Sequence, residues 1–348
     1  MERILVRAAN WIGDAVMSLP ALDALKLHFP RAEITVLAKP RTAPIFENNP
    51  AVSDIIIYDS IGAHKGLNGR MKLAGVLRER DFALAVLFQN AFEAALIAFL
   101  AGIPRRAGYA RDLRSVFLTD PVEVTAGIKK QHQVYYYLNI IKELGGGEVE
   151  NPLPKITLTS GEEEWANAFL SAQGIEKGTP VIGVSPGASY GPAKRWAPEN
   201  FSFVLNAVSK SSGAEVLIFG SEEDTEIARV LSSGLTVKHH NLAGKTTLRE
   251  FMAIAARLDL FLTNDSGPMH IGAALGAPTL AIFGSTSDEL TGPLGHRVKV
   301  VREPIDCAPC FERECKYGHY ECLTKIEAAQ VLAEAVALMS GEDKEVSV

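Results

Sequence analysis

Short apolar runs alternate along the whole chain with longer amphipathic segments. The apolar runs predict β-strands at 3–7, 33–38, 55–58, 82–88, 181–185, 215–219, 260–263 and 279–283. Helical periodicity predicts helices at 14–28, 69–80, 91–100, 162–173, 198–211, 268–275 and 325–339, with a further helix from about 224. Strands separated by helices of about 10 to 15 residues are typical of βαβ units with a parallel sheet.

The alternation stops once, in a proline-rich stretch at 151–159, and then starts again. The sequence therefore predicts an α/β protein with two doubly wound, Rossmann-like domains, at 1–155 and 156–348, with the last helix packed on either half. Ligands of open α/β sheets bind outside the carboxyl ends of the strands, so we expect the site in a cleft between the halves.

Composition narrows the classes of function. The 348 residues are 47% hydrophobic and 22% charged, with a net charge of −6, which argues against a nucleic-acid partner. The N-terminus does not resemble a secretory signal, and the longest apolar stretch, 94–103, is far shorter than the ~20 residues of a membrane span. We expect a cytoplasmic protein that contacts a membrane only at its periphery.

The segment after the first strand, AANWIGDAVMSLPAL, is the first candidate site. Gly13 allows the backbone to turn, and Asp14 stands at the start of a helix at the carboxyl edge of the sheet. A carboxylate in this position is suited to act as general base for a sugar hydroxyl. A plain helix-capping aspartate is the alternative interpretation.

The second candidate, SPGASYGPAKRW, follows the strand at 181–185. Ser189 and the neighbouring glycines offer a hydroxyl and backbone N–H groups, and Lys194 adds positive charge suited to a diphosphate. A solvated surface loop with an incidental Lys-Arg pair would have the same sequence.

The third candidate, NDSGPMHIGAALGAP, follows the strand at 260–263. Asp265 is placed to accept a hydrogen bond from a sugar, while Ser266 and Gly267 open a helix whose free N–H groups suit a phosphate and which carries His270. A capped helix with a hydrogen-bonded core histidine is the alternative. Glu222, after the strand at 215–219, is placed either to bind a ribose diol or to begin a solvated helix.

Two further groups have weaker signals. The four cysteines lie in CAPCFERECKYGHYECL, where their spacing fits neither common zinc pairs nor ferredoxin runs, so we expect thiols packing a loop and no metal. Basic residues of the first half suit an acidic acceptor or simply a solvated face. The cysteines are Cys307, Cys310, Cys315 and Cys322, and the basic residues are Arg105, Arg106, Arg111 and Arg114, with Lys129 and Lys130.

In this order, ILVRAANWIGDAVMSLPAL, PGASYGPAKRW, NDSGPMHIGAALGAP and the cysteine segment resemble the lipopolysaccharide heptosyltransferases, most closely those of type II. The likeness runs from Arg3 to about Leu338. It implies a GT-B fold, an acceptor-binding first domain and an ADP-sugar-binding second domain. It also implies an ADP-heptose donor, a lipopolysaccharide inner-core acceptor at the inner membrane, and an inverting reaction without a metal or other cofactor.

The resemblance also implies roles for single residues. Asp14 corresponds to the catalytic base and Lys194 to the diphosphate-binding lysine. Residues of the third segment correspond to those that hold the donor sugar and its phosphates. Glu222 corresponds to the ribose ligand, and Thr246 to a position near the adenine.

One departure concerns Ser189, where type II relatives commonly carry glutamate and the type I enzymes a hydroxyl. Transfer to the first heptose is therefore the expected reaction, with type I activity on the heptose-free acceptor as one alternative. Another GT-B transferase or epimerase that uses a UDP-sugar, and a non-catalytic nucleotide-sugar-binding protein, are the others.

Overall fold

The computed structural model describes residues 2–341 and divides into two compact units, Met1–Thr157 and Leu158–Val348. Each unit contains one six-stranded sheet in which every strand pair is parallel. The strands are apolar and buried because helices cover both faces of a parallel sheet. Two doubly wound units were predicted, and the structure has two.

The strands and helices of the first unit alternate as expected. Its strands are β1 Arg3–Arg7, β2 Glu33–Ala38, β3 Asp54–Ile57, β4 Leu84–Leu87, β5 Arg105–Tyr109 and β6 Asp120–Val122. Its helices are α1 Ile12–Met17, α2 Leu19–His28, α3 Gly66–Glu79, α4 Phe92–Leu100 and α5 Gln133–Glu143. The strand order is β3-β2-β1-β4-β5-β6, so the direction of winding reverses between β1 and β4.

The second unit has the same order of construction. Its strands are β7 Val181–Ser185, β8 Glu215–Ile218, β9 His239–Asn241, β10 Leu260–Asn264, β11 Thr279–Phe283 and β12 Val298–Arg302. Its helices are α6 Ser160–Ala172, α7 Pro198–Ser212, α8 Thr225–Gly234, α9 Leu248–Ala255, α10 Gly267–Ala274, α11 Asp288–Thr291, α12 Glu321–Thr324 and α13 Ala328–Ser340. The order β12-β11-β10-β7-β8-β9 reverses between β10 and β7.

Local signals in the sequence explain where several helices begin and end. Capping boxes start α6, with Thr159 and Glu162, and α9, with Thr247 and Glu250. Gly213 ends α7 in the left-handed conformation, at φ 72°, which an L side chain rarely adopts. The sequence predicted α6 and α7, whereas it did not predict α9.

Three features of the helices correct or extend the sequence prediction. The single helix predicted at 14–28 is two helices, since Ser18 interrupts it and Pro20 lies in the first turn of α2. The last long helix, α13, packs on α7 and on the sheet of the second unit. No helix within residues 2–341 is long and apolar enough to cross a membrane.

Candidate functional site

Asp14 lies in the first turn of α1, directly after the carboxyl end of β1, where the winding of the first sheet reverses. It is partly buried, and its Oδ1 accepts a hydrogen bond of 2.9 Å from the hydroxyl of Tyr137, 123 residues away in α5. Burial, with the nearby charge of Asp14, raises the pKa of Tyr137 well above its usual value. The tyrosine therefore stays protonated and orients the carboxylate.

The helix-capping interpretation of Asp14 is wrong. The N-cap of α1 is Trp11, which has extended backbone and no side-chain cap hydrogen bond, so Asp14 is the third residue of the helix. The carboxylate is close to the free N–H groups of the first turn, which favour an anion. Gly13, the residue before it, is partly buried.

A buried arginine shapes the loop between β1 and α1. Arg7 is 1% exposed, and its guanidinium donates to the carbonyls of Ala8 and Leu37 and to Oδ1 of Asn10. Burial lowers the pKa of Arg7 to about 10, still high enough to keep the side chain charged. Neither Arg7 nor Tyr137 was predicted from the sequence, because nothing in the local pattern marks either residue.

The basic residues expected to form one acceptor patch do not lie together. Arg105 and Arg106 stand at the amino end of β5, whereas Arg111 and Arg114 follow its carboxyl end, on the side of Asp14. Arg105 pairs with Asp120 over 2.6 Å. The two pairs of arginines therefore lie at opposite ends of β5.

Two of these arginines have structural contacts of their own. Arg106 donates to the carbonyls of Ile103, Pro104 and Phe117. Arg111 pairs with Asp112 over 3.2 Å and is about half exposed, so its charge is accessible at the carboxyl edge.

Arg114 is fully buried. Its guanidinium donates to the carbonyl of Tyr109 at 2.8 Å, to the carbonyl of Gln89, and to Oδ1 of Asn90 at 3.1 Å. Burial lowers its pKa to about 10. These bonds join the loop after β4 to the loop after β5, so the geometry supports a structural role for Arg114 in place of the expected contact with an acceptor.

The second unit brings two of the candidate segments together at its own reversal point. Nζ of Lys194, in the loop after β7, lies 2.5 Å from Oδ2 of Asp265, which follows β10. The side chains are 12% and 4% exposed. Thr286 donates a hydrogen bond to the same carboxylate oxygen. Lys194 and Asp265 are 71 positions apart in the sequence but follow adjacent strands, and together they form one polar centre.

A buried amide fixes the two loops that carry this pair. Asn264 is fully buried at the end of β10, its Nδ2 donates to the carbonyl of Pro186 at 2.7 Å, and its Oδ1 accepts from the backbone N–H of Trp196 at 3.1 Å. Trp196 is itself 1% exposed and belongs to the core of the unit. The loop after β7 is therefore held at both ends.

The third segment opens α10 as expected. Ser266 is the N-cap with extended backbone, Gly267 is the first helical residue, and Pro268 occupies the first turn, where its missing N–H costs nothing. No side chain caps the N-terminus of this helix. His270 lies in the first half of α10 and is buried, with 6% of its surface exposed.

The remaining candidates of the second unit also lie after carboxyl ends of strands. Ser189 is exposed in the loop after β7, and Glu222 is exposed after β8. Thr246 is partly buried between β9 and α9. The loop with Glu222 and the loop with Thr246 are in contact at Gly244. The N–H of Gly244 donates to the carbonyl of Gly220, and a Cβ on Gly244 would lie 3.5 Å from Cα of Glu222.

The cysteine segment packs beside the loop of Lys194. All four cysteines are free thiols and line a small cavity together with Ala193 and Ser285. Burial, reinforced by the other cysteines, raises the pKa of Cys322 to about 11, whereas backbone N–H groups lower that of Cys315. Across residues 2–341, no three His, Cys, Asp or Glu side chains are arranged to hold a metal ion.

Comparisons with known proteins agree with this architecture. Residues 70–321 match the model of glycosyltransferase family 9 (heptosyltransferase). Lipopolysaccharide heptosyltransferase 2 of Escherichia coli strain K12 is 31% identical, over 98% of this chain and 99% of its own length. Lipooligosaccharide heptosyltransferase 2 of Campylobacter jejuni serotype O:2 is 30% identical, over 97% and 98%.

Solved structures show the same fold. The E. coli ADP-heptose lipopolysaccharide heptosyltransferase II superposes with a TM-score of 0.83 at 28% identity, covering 99% of this chain and 100% of its own. A family 9 glycosyl transferase from Veillonella parvula gives 0.90 at 26% identity, covering 98% of both chains. The expected GT-B class is confirmed. The chain belongs to glycosyltransferase family 9 and is a glycosyltransferase of lipopolysaccharide core biosynthesis, similar to the type II heptosyltransferases.

Proposed function

We propose that this enzyme transfers L-glycero-D-manno-heptose from ADP-heptose to the first heptose of the lipopolysaccharide inner core. Support for the donor comes from the family and from the E. coli protein whose name includes ADP-heptose. Support for the acceptor comes from relatives that are heptosyltransferases of type 2 at 30–31% identity over nearly the whole chain. Ser189 is then a tolerated substitution.

The observation that carries the proposal is the position of the polar groups at the reversal point of each sheet. Asp14 stands at that of the first unit and the Lys194–Asp265 pair at that of the second. Ligands of doubly wound sheets bind at such points, outside the carboxyl ends of the strands. The first domain would thus bind the acceptor and the second domain the ADP-sugar.

In the proposed reaction, Asp14 takes the proton of an acceptor hydroxyl while the oxygen attacks the anomeric carbon of the donor. The bond from that carbon to the diphosphate breaks, and ADP departs with the electron pair. Attack on the face opposite the leaving group inverts the anomeric configuration. Tyr137 keeps the carboxylate oriented for the proton transfer, which is general-base catalysis by a positioned group.

The second unit would stabilise the leaving ADP. Lys194 supplies a cation, and the uncapped N-terminus of α10, with Ser266 and Gly267, supplies N–H groups for phosphate. Asp265 and His270 would contact the donor sugar and its phosphates, with Ser189 at the loop beside them. Glu222 and Thr246 would receive the ribose and the adenine, since their loops meet at Gly244.

The decisive experiment measures ADP release from ADP-heptose with two acceptors, lipopolysaccharide truncated before and after the first heptose. We expect release only with the mono-heptosylated acceptor. Release only with the heptose-free acceptor would establish type I activity and overturn the acceptor assignment. No release with either would reject the donor, and a panel of UDP-sugars would then test the alternative GT-B activities.

The role of Asp14 has a separate test. Asp14→Asn keeps the size and polarity of the side chain but removes the base, so ADP binding should persist while turnover is lost. Titration calorimetry with ADP and the ADP-release assay measure the two. Turnover retained at the level of the unsubstituted enzyme would show that another group takes the proton.

A further inference from the structure

The cysteine segment, residues 307–322, is attached to the loop that carries Lys194. The backbone N–H of Ala193 donates to the carbonyl of Arg313 at 3.1 Å, and that of Phe311 donates to the carbonyl of Ser285 at 2.7 Å. Oγ of Ser285 donates to the carbonyl of Glu312 at 3.0 Å. Residues 311–313 therefore bond to the loops after β7 and β11 through their main chain.

A glycine makes this approach possible. Gly191 has φ 153°, and a Cβ on it would lie 2.4 Å from the carbonyl oxygen of Arg313. No side chain fits in that distance, so glycine is required where the two segments meet. This contact involves the main chain of the loop after β7 and the main chain of Arg313, so it does not depend on the arginine side chain.

The side chains converge on one aromatic ring. Nζ of Lys194 lies 4.7 Å from the centre of the Tyr190 ring, and Cζ of Arg313 lies 5.3 Å from the same centre. The Tyr190 hydroxyl donates to the carbonyl of Phe311 at 2.5 Å, which fixes the ring. Cations favour the face of an aromatic ring, so Tyr190 contacts both positive groups.

The two cations differ in whether a carboxylate pairs with them. Lys194 is paired with Asp265 at 2.5 Å. Arg313 is exposed, and no carboxylate between residues 2 and 341 pairs with it, although Glu312 and Glu314 flank it in the sequence. The guanidinium of Arg313 is therefore available to a ligand, whereas the ammonium of Lys194 already has a carboxylate partner.

We propose that Arg313 is a second phosphate-binding residue of the donor site, carried there by the cysteine segment. The inference rests on the proposed function, since it takes the diphosphate of ADP as the ligand. A nucleoside diphosphate has more than one negative charge, and the pair with Asp265 already offsets the charge of Lys194. The planar guanidinium can donate two parallel hydrogen bonds to a phosphate, which an ammonium cannot.

The test compares Arg313→Gln with Lys316→Gln by titration calorimetry with ADP and with AMP. Lys316 is an exposed cation of the same segment that lies over Tyr317 instead of Tyr190, so it controls for net charge. We expect Arg313→Gln to weaken ADP binding about 10-fold, the effect of losing one hydrogen bond between charged groups. AMP, without the second phosphate, should lose less affinity, and Lys316→Gln should match the unsubstituted enzyme with both ligands.

Three other results would overturn the inference. Equal ADP affinity of Arg313→Gln and Lys316→Gln would show that the guanidinium does not reach the phosphates. An equal loss of affinity for ADP and AMP would show that Arg313 does not bind the second phosphate of ADP, which the inference requires. If the unsubstituted enzyme does not bind ADP, the donor assignment itself fails, which the first titration reveals. Arg313→Lys should recover part of the affinity if charge is what the site needs, and equal melting temperatures would show that the variants are folded.

Discussion

Replacing Tyr137 by phenylalanine removes one hydroxyl and leaves the ring in the core. The ring is 3% exposed and packs edge-on against Phe88 at 5.4 Å, so the helix should keep its place. The hydroxyl is the donor of the 2.9 Å bond to Asp14. Because the pKa of Tyr137 is raised by its burial and by the charge of Asp14, this donor is present throughout the working pH range.

The size of the effect follows from the type of bond. A hydrogen bond to a charged acceptor contributes about 1.5–3 kcal/mol, and about 1.4 kcal/mol in a barrier is a factor of ten. If this whole hydrogen-bond contribution were lost from the transition state, the reaction would be about 10- to 150-fold slower. A carboxylate without its donor is also a stronger base, which offsets part of the loss. We therefore expect kcat to fall about 10-fold and ADP affinity to stay unchanged.

The assay is steady-state ADP release as a function of pH. The acid limb of the profile should move to higher pH in Tyr137→Phe, because the carboxylate binds a proton more readily once its hydrogen bond is gone. Tyr135→Phe, the same change in the same helix, is the control. If kcat and the acid limb agree between the two variants, Tyr137 does not act on Asp14 and the reasoning is refuted.

Three further changes test other contacts. Lys194→Gln should weaken ADP binding at least about 10-fold and destabilise the fold by about 3 kcal/mol, because Asp265 stays buried without its cation; calorimetry and urea unfolding measure these effects. The hydrogen-bonded Arg249 holds the pKa of Glu162 at about 2, so the pair stabilises the fold above pH 4.5 and this stability is lost as the pH falls towards 2. Glu162→Gln should lack that acid-dependent loss in circular dichroism. Arg114→Gln should cost about 3 kcal/mol in urea unfolding, because it leaves buried acceptors unpaired.

Two of these changes, Glu162→Gln and Arg114→Gln, have a matched control nearby in the chain. Glu163→Gln alters an exposed neighbour on α6 and should keep the acid-dependent loss. Arg105→Gln removes a half-exposed ion pair and should change the stability by less than about 1 kcal/mol. A destabilisation by Arg105→Gln as large as that by Arg114→Gln would contradict the structural distinction between the two arginines.

The sequence predicted best those strands that contain a run of apolar residues. The bounds of β1, β2, β7 and β11 agree with the structure to the residue, since helices cover both faces of each strand. By contrast, β5 begins with two arginines and β9 reads His-His-Asn, so neither has an apolar run to mark it. These two strands form because neighbouring strands offer hydrogen bonds, which is a tertiary effect.

The same limit applies to the candidate site. The glycine turn and the N-terminus of a helix make Asp14 and the segment at Asp265 visible in the sequence. Their partners Tyr137 and Lys194 reach them only through the topology, across strands and helices far apart in the chain. Arg114 and Arg105 have the same local signal, a basic residue at a strand end. Burial distinguishes them, and no single-sequence pattern reports burial of an arginine.

The buried guanidinium of Arg114 has a consequence for engineering. It ties the loop after β4 to the loop after β5 through Gln89, Asn90 and Tyr109, so these loops form one mechanical unit. A chimaera that exchanges only one of them with a homologue would leave part of the clamp without its partner. Loop grafts aimed at a new acceptor should transfer both loops and the arginine together.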